Sequence, residues 1–251
     1  MRRIPILMYH QVTPTPAAGF ARYTVTPKAF AAQMRWLAIT GRTPITMTTL
    51  VEARLGSHGW PSRAVVITFD DGFRDCVEFA LPVLQRHRFI AVFYLVAGLM
   101  GRTSRWMASA GGLRFPLVDW TAARSLQDAG MECGAHSVTH PPLATCSAAR
   151  GREELVASRR ILEDRLGREV LDFAYPYGSV TPGVRTMAAE AGYRSACTGE
   201  KRLATDGDDL LLLPRVPVYG GESLLDFAWR LRTAERPRQW LRRKLRPGGH
   251  A

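Results

Sequence analysis

The chain has 251 residues, 46% of them hydrophobic and 22% charged, which suits one globular α/β domain or at most two small ones and excludes disorder, collagen and coiled coil. Lys+Arg 34 against Asp+Glu 22 give a net charge of +12, but no RNA-recognition, helix-turn-helix or zinc-knuckle pattern accompanies the basicity, so a nucleic-acid module is not expected. Four cysteines without a C-x-x-C pair argue against a zinc ribbon or a disulfide scaffold and read as reduced, small core residues.

The opening Met1-Arg2-Arg3-Ile4-Pro5-Ile6-Leu7-Met8-Tyr9-His10 has too short an apolar run for a secretory signal and no cleavage site, and no window approaches the ~18 apolar residues of a membrane span. A cytoplasmic location is expected, at most peripheral at the inner membrane surface, or else a chain whose leader is already removed. Short apolar runs then alternate with amphipathic ones. Strands are expected at Ile4–Tyr9, Ala64–Phe69, Ile90–Val96, Met131–Ala135, Val170–Tyr175, Tyr193–Thr198 and Leu211–Val218, too apolar for half-exposed strands. Helices are expected at Pro27–Ile39, Asp75–Arg88, Thr121–Ala129, Ser147–Leu166 and Pro182–Ala191, with Thr-Pro starts at Thr26 and Thr181 and glycine stops at Gly130, Gly167 and Gly192. Such alternation argues for a parallel sheet, open or closed into a barrel. The last segment, 229–251, carries eight cations from Arg230 to Arg246 against Glu235 alone, a net of +7. With its interleaved Trp and Leu it reads as a basic tail after a domain spanning 1–228, either solvated or in peripheral contact with an anionic membrane.

The polar residues fall in a pattern. His10, Asp70 with Asp71, His136, Tyr177 and Arg215 each lie at or just beyond the C-terminal end of an expected strand, and parallel α/β architectures gather those ends on one face. In Thr68-Phe69-Asp70-Asp71-Gly72, adjacent carboxylates on extended backbone point opposite ways, which suits one to a metal and the other to a proton; a plain turn is the alternative. In His136-Ser137-Val138-Thr139-His140, two imidazoles four apart on a helical turn share a face, and with one carboxylate they make a three-ligand site with an open position. Tyr175-Pro176-Tyr177-Gly178 forms a turn that can aim an N–H outward, as an oxyanion donor requires.

These T-F-D-D-G, H-x-x-x-H-P and A-Y-P-Y-G segments, in this order, resemble the polysaccharide deacetylase superfamily (NodB homology, carbohydrate esterase family 4) from about Ile4 to Val218. The resemblance implies a distorted (β/α)7 barrel that hydrolyses N-acetyl groups on an N-acetylhexosamine-containing glycan or glycolipid. It implies a divalent metal, usually Zn²⁺ with Co²⁺ or Ni²⁺ tolerated, held by Asp71, His136 and His140, with Asp70 as general base and the Tyr177 backbone N–H as oxyanion donor. Pro176, Tyr177 and Trp106 are the candidate substrate contacts.

Two positions depart from the family pattern. No Leu-x-His follows Gly178 to supply the general acid; Met8-Tyr9-His10 has that character instead, as in the circularly permuted branch that includes the poly-N-acetylglucosamine deacetylases, and His10 becomes the expected acid. Where many members carry Arg before the third motif's proline this chain has Ala174, and Arg215 is the candidate replacement beside Asp70. The alternatives are an amidase on a small acylated sugar or cyclic imide, and a carbohydrate-binding pseudoenzyme; the latter should lack a ligand, base or acid.

Overall fold

The computed structural model describes residues 2–56, 63–108 and 112–234. Seven strands of an eight-stranded parallel sheet curl into a distorted barrel, the eighth, Thr43–Ile45, pairing with the start of the second off this path: β1 (Ile6–Tyr9), β2 (Ala64–Phe69), β3 (Val92–Leu95), β4 (Glu132–Ala135), β5 (Asp172–Ala174), β6 (Ser195–Cys197) and β7 (Val216–Pro217). Their order is β6-β5-β4-β3-β2-β1-β7. Leu213, just before β7, meets Cys197 of β6 in a parallel bridge, Thr198 N–H donating to Leu213 O at 2.8 Å, and so closes the ring. The first strand therefore lies between β2 and the last, registered Leu7 against Val216 and Ile6 against Val66.

Strand periodicity sorts the core into two layers. Ile6, Val66, Val92, Tyr94, Ala174, Cys197 and Leu213 form an inner cluster. Leu7, Tyr9, Val65, Ile67, Phe69, Phe93 and Phe173 pack outward with helix residues such as Leu84, Leu126, Leu155 and Val184. The helices are α1 (Pro27–Ile39), α2 (Met47–Arg54), α3 (Leu81–His87), α4 (Trp120–Asp128), α5 (Ala148–Leu166), α6 (Pro182–Glu190) and α7 (Leu224–Thr233). The Thr26 and Thr181 side chains accept from the N–H groups of Ala29 and Val184, as their Thr-Pro starts imply. Cys76, Cys133 and Cys197 are buried free thiols, while Cys146 is half-buried.

Several elements differ from the sequence expectation for physical reasons. The expected helix 75–88 divides into a π segment, Cys76–Ala80, and α3, because Pro82 has no N–H and Leu81 N–H instead reaches back to Cys76 O. The run 211–218 narrows to a 3-10 turn at Leu210–Leu212 and the two residues of β7, since Pro214 and Pro217 cannot donate to a ladder. The strand expected from Ile4 breaks at Pro5, leaving Arg3–Ile4 antiparallel to Ala204–Thr205. Helix α2 was not anticipated, since its eight residues give only two turns over which a helical period could show. Helix α7 continues the ordered fold through the expected boundary at 228, burying Phe227 and Leu231, with Phe227 6.0 Å from Trp36 of α1. The rest of the basic tail, 235–251, lies outside the described residues. No described helix is long and apolar enough to cross a membrane.

Candidate active site

At the C-terminal mouth of the barrel a cavity of about 510 Å³ is lined by His10, Asp70, Asp71, Trp106, His136, His140, Tyr177 and Arg215, gathering the sequence candidates from beyond the ends of β1, β2, β4 and β5, from one loop, and from Arg215, which stands just before β7 rather than at a strand's C-terminal end. Period-two geometry explains four of them. His10 continues the inward register of Ile6 and Met8, Asp70 that of Val66 and Thr68, His136 that of Gly134, and Arg215 that of Leu213. Pro176 is buried in the 3-10 turn Pro176–Gly178 and does not line the cavity, so it shapes the turn beneath Tyr177.

Asp71 and His140 reach the cavity by leaving regular backbone. Asp71 would point away from Asp70 in an extended strand; at φ +71° it turns inward, so both carboxylates face one space. The two histidines do not sit on a helical turn. Ser137 at φ +64° and His140 at φ +66° fold the segment into a tight loop, and Val138 and Thr139 N–H donate to the buried Glu154 carboxylate of α5 at 2.7 and 2.9 Å. Of seven non-glycine residues with positive φ among those described, Asp71, Ser137, His140 and Tyr177 (φ +58°) are at this mouth. Strain of roughly 1–3 kcal/mol per residue persists only where surrounding contacts enforce it, as at functional sites. Gly178 is required at the third turn: a Cβ there would lie 2.3 Å from Gly199 N.

Asp71 Oδ1 lies 3.0 Å from His140 Nε2 and 3.4 Å from His136 Nε2, and the two Nε2 atoms are 3.2 Å apart. A tetrahedral zinc site with bonds of about 2.0–2.1 Å has ligand–ligand edges of about 3.3 Å. His136 Nδ1 sits 2.6 Å from Ala174 O, which fixes the proton on Nδ1 and frees Nε2 as a ligand. Burial pushes the His140 pKa down, against the pull of Asp71, keeping that ring neutral. Two imidazole nitrogens and a carboxylate oxygen converging on one point suit a divalent cation.

Arg215 is 2% exposed and donates to both Asp70 oxygens, at 2.6 and 2.7 Å, as well as to Thr68 Oγ1 at 3.3 Å. Burial alone would raise the Asp70 pKa, but the Arg215 guanidinium and His136 outweigh it and hold the carboxylate ionised. Burial lowers the His10 pKa, with Asp71 and Asp70 opposing, and its Nδ1 is buried without a hydrogen-bond partner among the described residues.

Sequence reasoning missed the walls around these groups. Tyr23 and Phe20, 5.1 and 6.3 Å from His10 between ring centroids, box in that imidazole. Their signal was position alone, in the loop after β1, since such loops build the mouth of parallel barrels. Lys201 lines the cavity from the loop after β6. Glu154 was legible as a charged residue on the uncharged buried stripe Gly151, Leu155, Ser158 and Leu162.

A family profile described as polysaccharide deacetylase matches residues 57–196. The chain is similar to YxkH of Bacillus subtilis (strain 168), 24% identical over 222 residues, 88% of this chain and 73% of that one. It is also similar to the poly-beta-1,6-N-acetyl-D-glucosamine N-deacetylase of Escherichia coli (strain K12), 25% identical over 243 residues, 84% of this chain but 36% of that enzyme. Among solved structures, a Streptococcus pyogenes deacetylase in complex with acetate superposes with a TM-score of 0.81 over 92% of this chain and 98% of its own, at 24% identity, a likeness of fold.

Proposed function

Because this chain belongs to the polysaccharide deacetylase family, we propose that it removes N-acetyl groups from N-acetylhexosamine units of a glycan or glycolipid, with a divalent metal, zinc foremost, held by Asp71, His136 and His140. The observation that carries this reading is a single cavity that joins three converging metal donors to a carboxylate held by Arg215 and to His10. A pseudoenzyme needs no such complete set.

A cation bound at the three donors supplies Lewis-acid polarisation of the amide carbonyl and a lowered pKa for water. Asp70 takes the proton of the attacking water. Arg215 holds both of its oxygens, so the carboxylate is ionised and fixed in orientation at neutral pH. The Tyr177 backbone N–H, set by its left-handed turn, donates to the carbonyl oxygen as negative charge develops. His10, walled by Phe20 and Tyr23, gives a proton to the departing amine nitrogen. Arg230 is buried against Glu222, so it is the cations from Arg232 to Arg246, with Trp240 and Leu241, that support peripheral contact with an anionic surface bearing such a substrate.

The test is acetate release by the zinc-loaded protein from chitooligosaccharides, poly-N-acetylglucosamine fragments and lipid-linked acetylated sugars. Release from at least one of these, abolished by chelation, is expected. Inactivity on all three, with turnover of a cyclic imide or a small acylated sugar, moves the reading to the amidase alternative.

A further inference from the structure

The two histidines of the candidate metal centre are held in different ways. His136 has its second ring nitrogen fixed by Ala174 O at 2.6 Å, the usual arrangement for a metal-binding imidazole. His140 has no equivalent: its Nδ1 is buried and unpartnered among the described residues. Hydrogen bonding on the far side therefore fixes neither its ring plane nor its ligand strength. Its ring instead lies nearly parallel to the Trp106 indole, centroids 4.4 Å apart and planes 22° from parallel, with Tyr177 edge-on at 4.7 Å.

From this geometry we infer that Trp106 is a positioning residue for the metal centre, fixing the His140 ring by stacking where a second hydrogen bond is missing. Coordination withdraws electron density from an imidazole, and an electron-poor ring is attracted more strongly by the electron-rich indole face than a neutral one. The stack thus stabilises the liganded ring more than the free ring, and that difference contributes directly to metal affinity. Trp106 is itself anchored for the task. It lies in a 3-10 turn, Arg105–Met107, inside a loop pinned by Ser104 N–H to Phe115 O at 3.0 Å, Phe115 N–H to Ser104 Oγ at 2.9 Å, and a Thr103–Pro116 bridge. The indole face turned toward His140 is also closed to a sugar ring, so Trp106 acts first on the metal centre.

The inference rests on Asp71, His136 and His140 being the metal ligands, and its test separates the two. Zinc affinity is measured by chelator competition for the unmodified protein, His136→Ala, Trp106→Leu and Trp106→Phe, with thermal midpoints of the zinc-free proteins and KM alongside. Leu retains apolar bulk without a π face; Phe retains the face. Expected are a ten- to hundredfold weakening of zinc binding in Trp106→Leu, the usual span for lost support of a ligand, recovery to within about threefold in Trp106→Phe, and unchanged zinc-free midpoints. Trp106→Leu binding zinc as tightly as the unmodified protein, whether or not KM rises, overturns the inference while leaving the ligands in place. Equal weakening by Leu and Phe overturns it as well, since bulk alone would then matter. If the unmodified protein binds no zinc, or His136→Ala binds it equally, the metal-centre reading falls and this inference with it.

Discussion

The two ends of the barrel bury polar side chains in opposite ways. At the N-terminal end, Glu132 of β4 accepts from Met47 N–H at 2.7 Å, Thr48 N–H at 3.2 Å and the Thr48 hydroxyl, and so caps α2. Its neighbour Asp172 of β5 accepts from the Ser195 hydroxyl of β6. Burial, with the Glu132 charge, drives the Asp172 pKa well above the usual carboxylate range. Each of these groups has a partner, and the left-handed non-glycine residues at this end, Arg63 and Arg88, only turn the chain into β2 and β3. At the C-terminal end, left-handed residues cluster, His10 and His140 each hold a ring nitrogen unpartnered among the described residues, and three groups able to hold a metal converge. Polar burial of the first kind ties elements together; burial of the second kind, with strain and unfilled bonding capacity, prepares a surface for something that is not protein.

If that contrast is right, damage at the two ends separates activity from stability. The largest effect is expected for His136→Ala, which removes a donor and the fixed Ala174 contact. Metal analysis should show zinc lost, and turnover should fall by about three orders of magnitude or more, as removal of several kcal/mol of Lewis-acid stabilisation implies. Tight, full occupancy in that variant would break the comparison.

Arg215 belongs to both kinds of burial, because its pair with Asp70 is structural and chemical together. Arg215→Met leaves a buried carboxylate unpaired, which costs about 3–5 kcal/mol in such pairs. Denaturant midpoints should fall accordingly and activity with them. The double variant Asp70→Asn/Arg215→Met should regain most of the stability and none of the turnover. Recovery of both would mean that Asp70 is only a partner for the arginine.

The smallest effect is expected at the other end. A folded-state pKa raised above the unfolded value means that the folded protein binds the proton more tightly. The stability from that proton is fully present below the ordinary carboxylate pKa and is lost as pH rises through the raised value of Asp172. Asp172→Asn keeps an acceptor for Ser195 and has nothing to ionise. Its thermal midpoint should therefore fall less between acidic and alkaline pH than that of the unmodified protein, with acetate release unaltered; parallel curves would contradict a raised Asp172 pKa.

Much of this was legible in the chain. The seven strand runs and the helices α1, α4, α5 and α6 appear within a few residues of the positions their periodicity and Thr-Pro or Gly punctuation imply. The mouth residues were legible because alternation continues past the strand ends, as in Met8 to His10 and Thr68 to Asp70. What stayed hidden depends on contacts distant in sequence. No local pattern marks φ +71° at Asp71, the hold of Glu154 on 138–139, or the meeting of Trp106 with a histidine 34 positions away. The helical turn expected for His136 and His140 failed for that reason: two left-handed residues reach the same convergence by a route that i, i+4 spacing does not encode.

The central claim is that Asp70 and Asp71, adjacent in sequence, do separate work at one site, the first on a proton and the second on a metal. The most direct measurement is acetate release by Asp70→Asn at a zinc occupancy matched to the unmodified protein. A fall of about 10²- to 10⁴-fold in kcat with one zinc retained is the predicted result. Unchanged turnover, or loss of the zinc together with the activity, would contradict it.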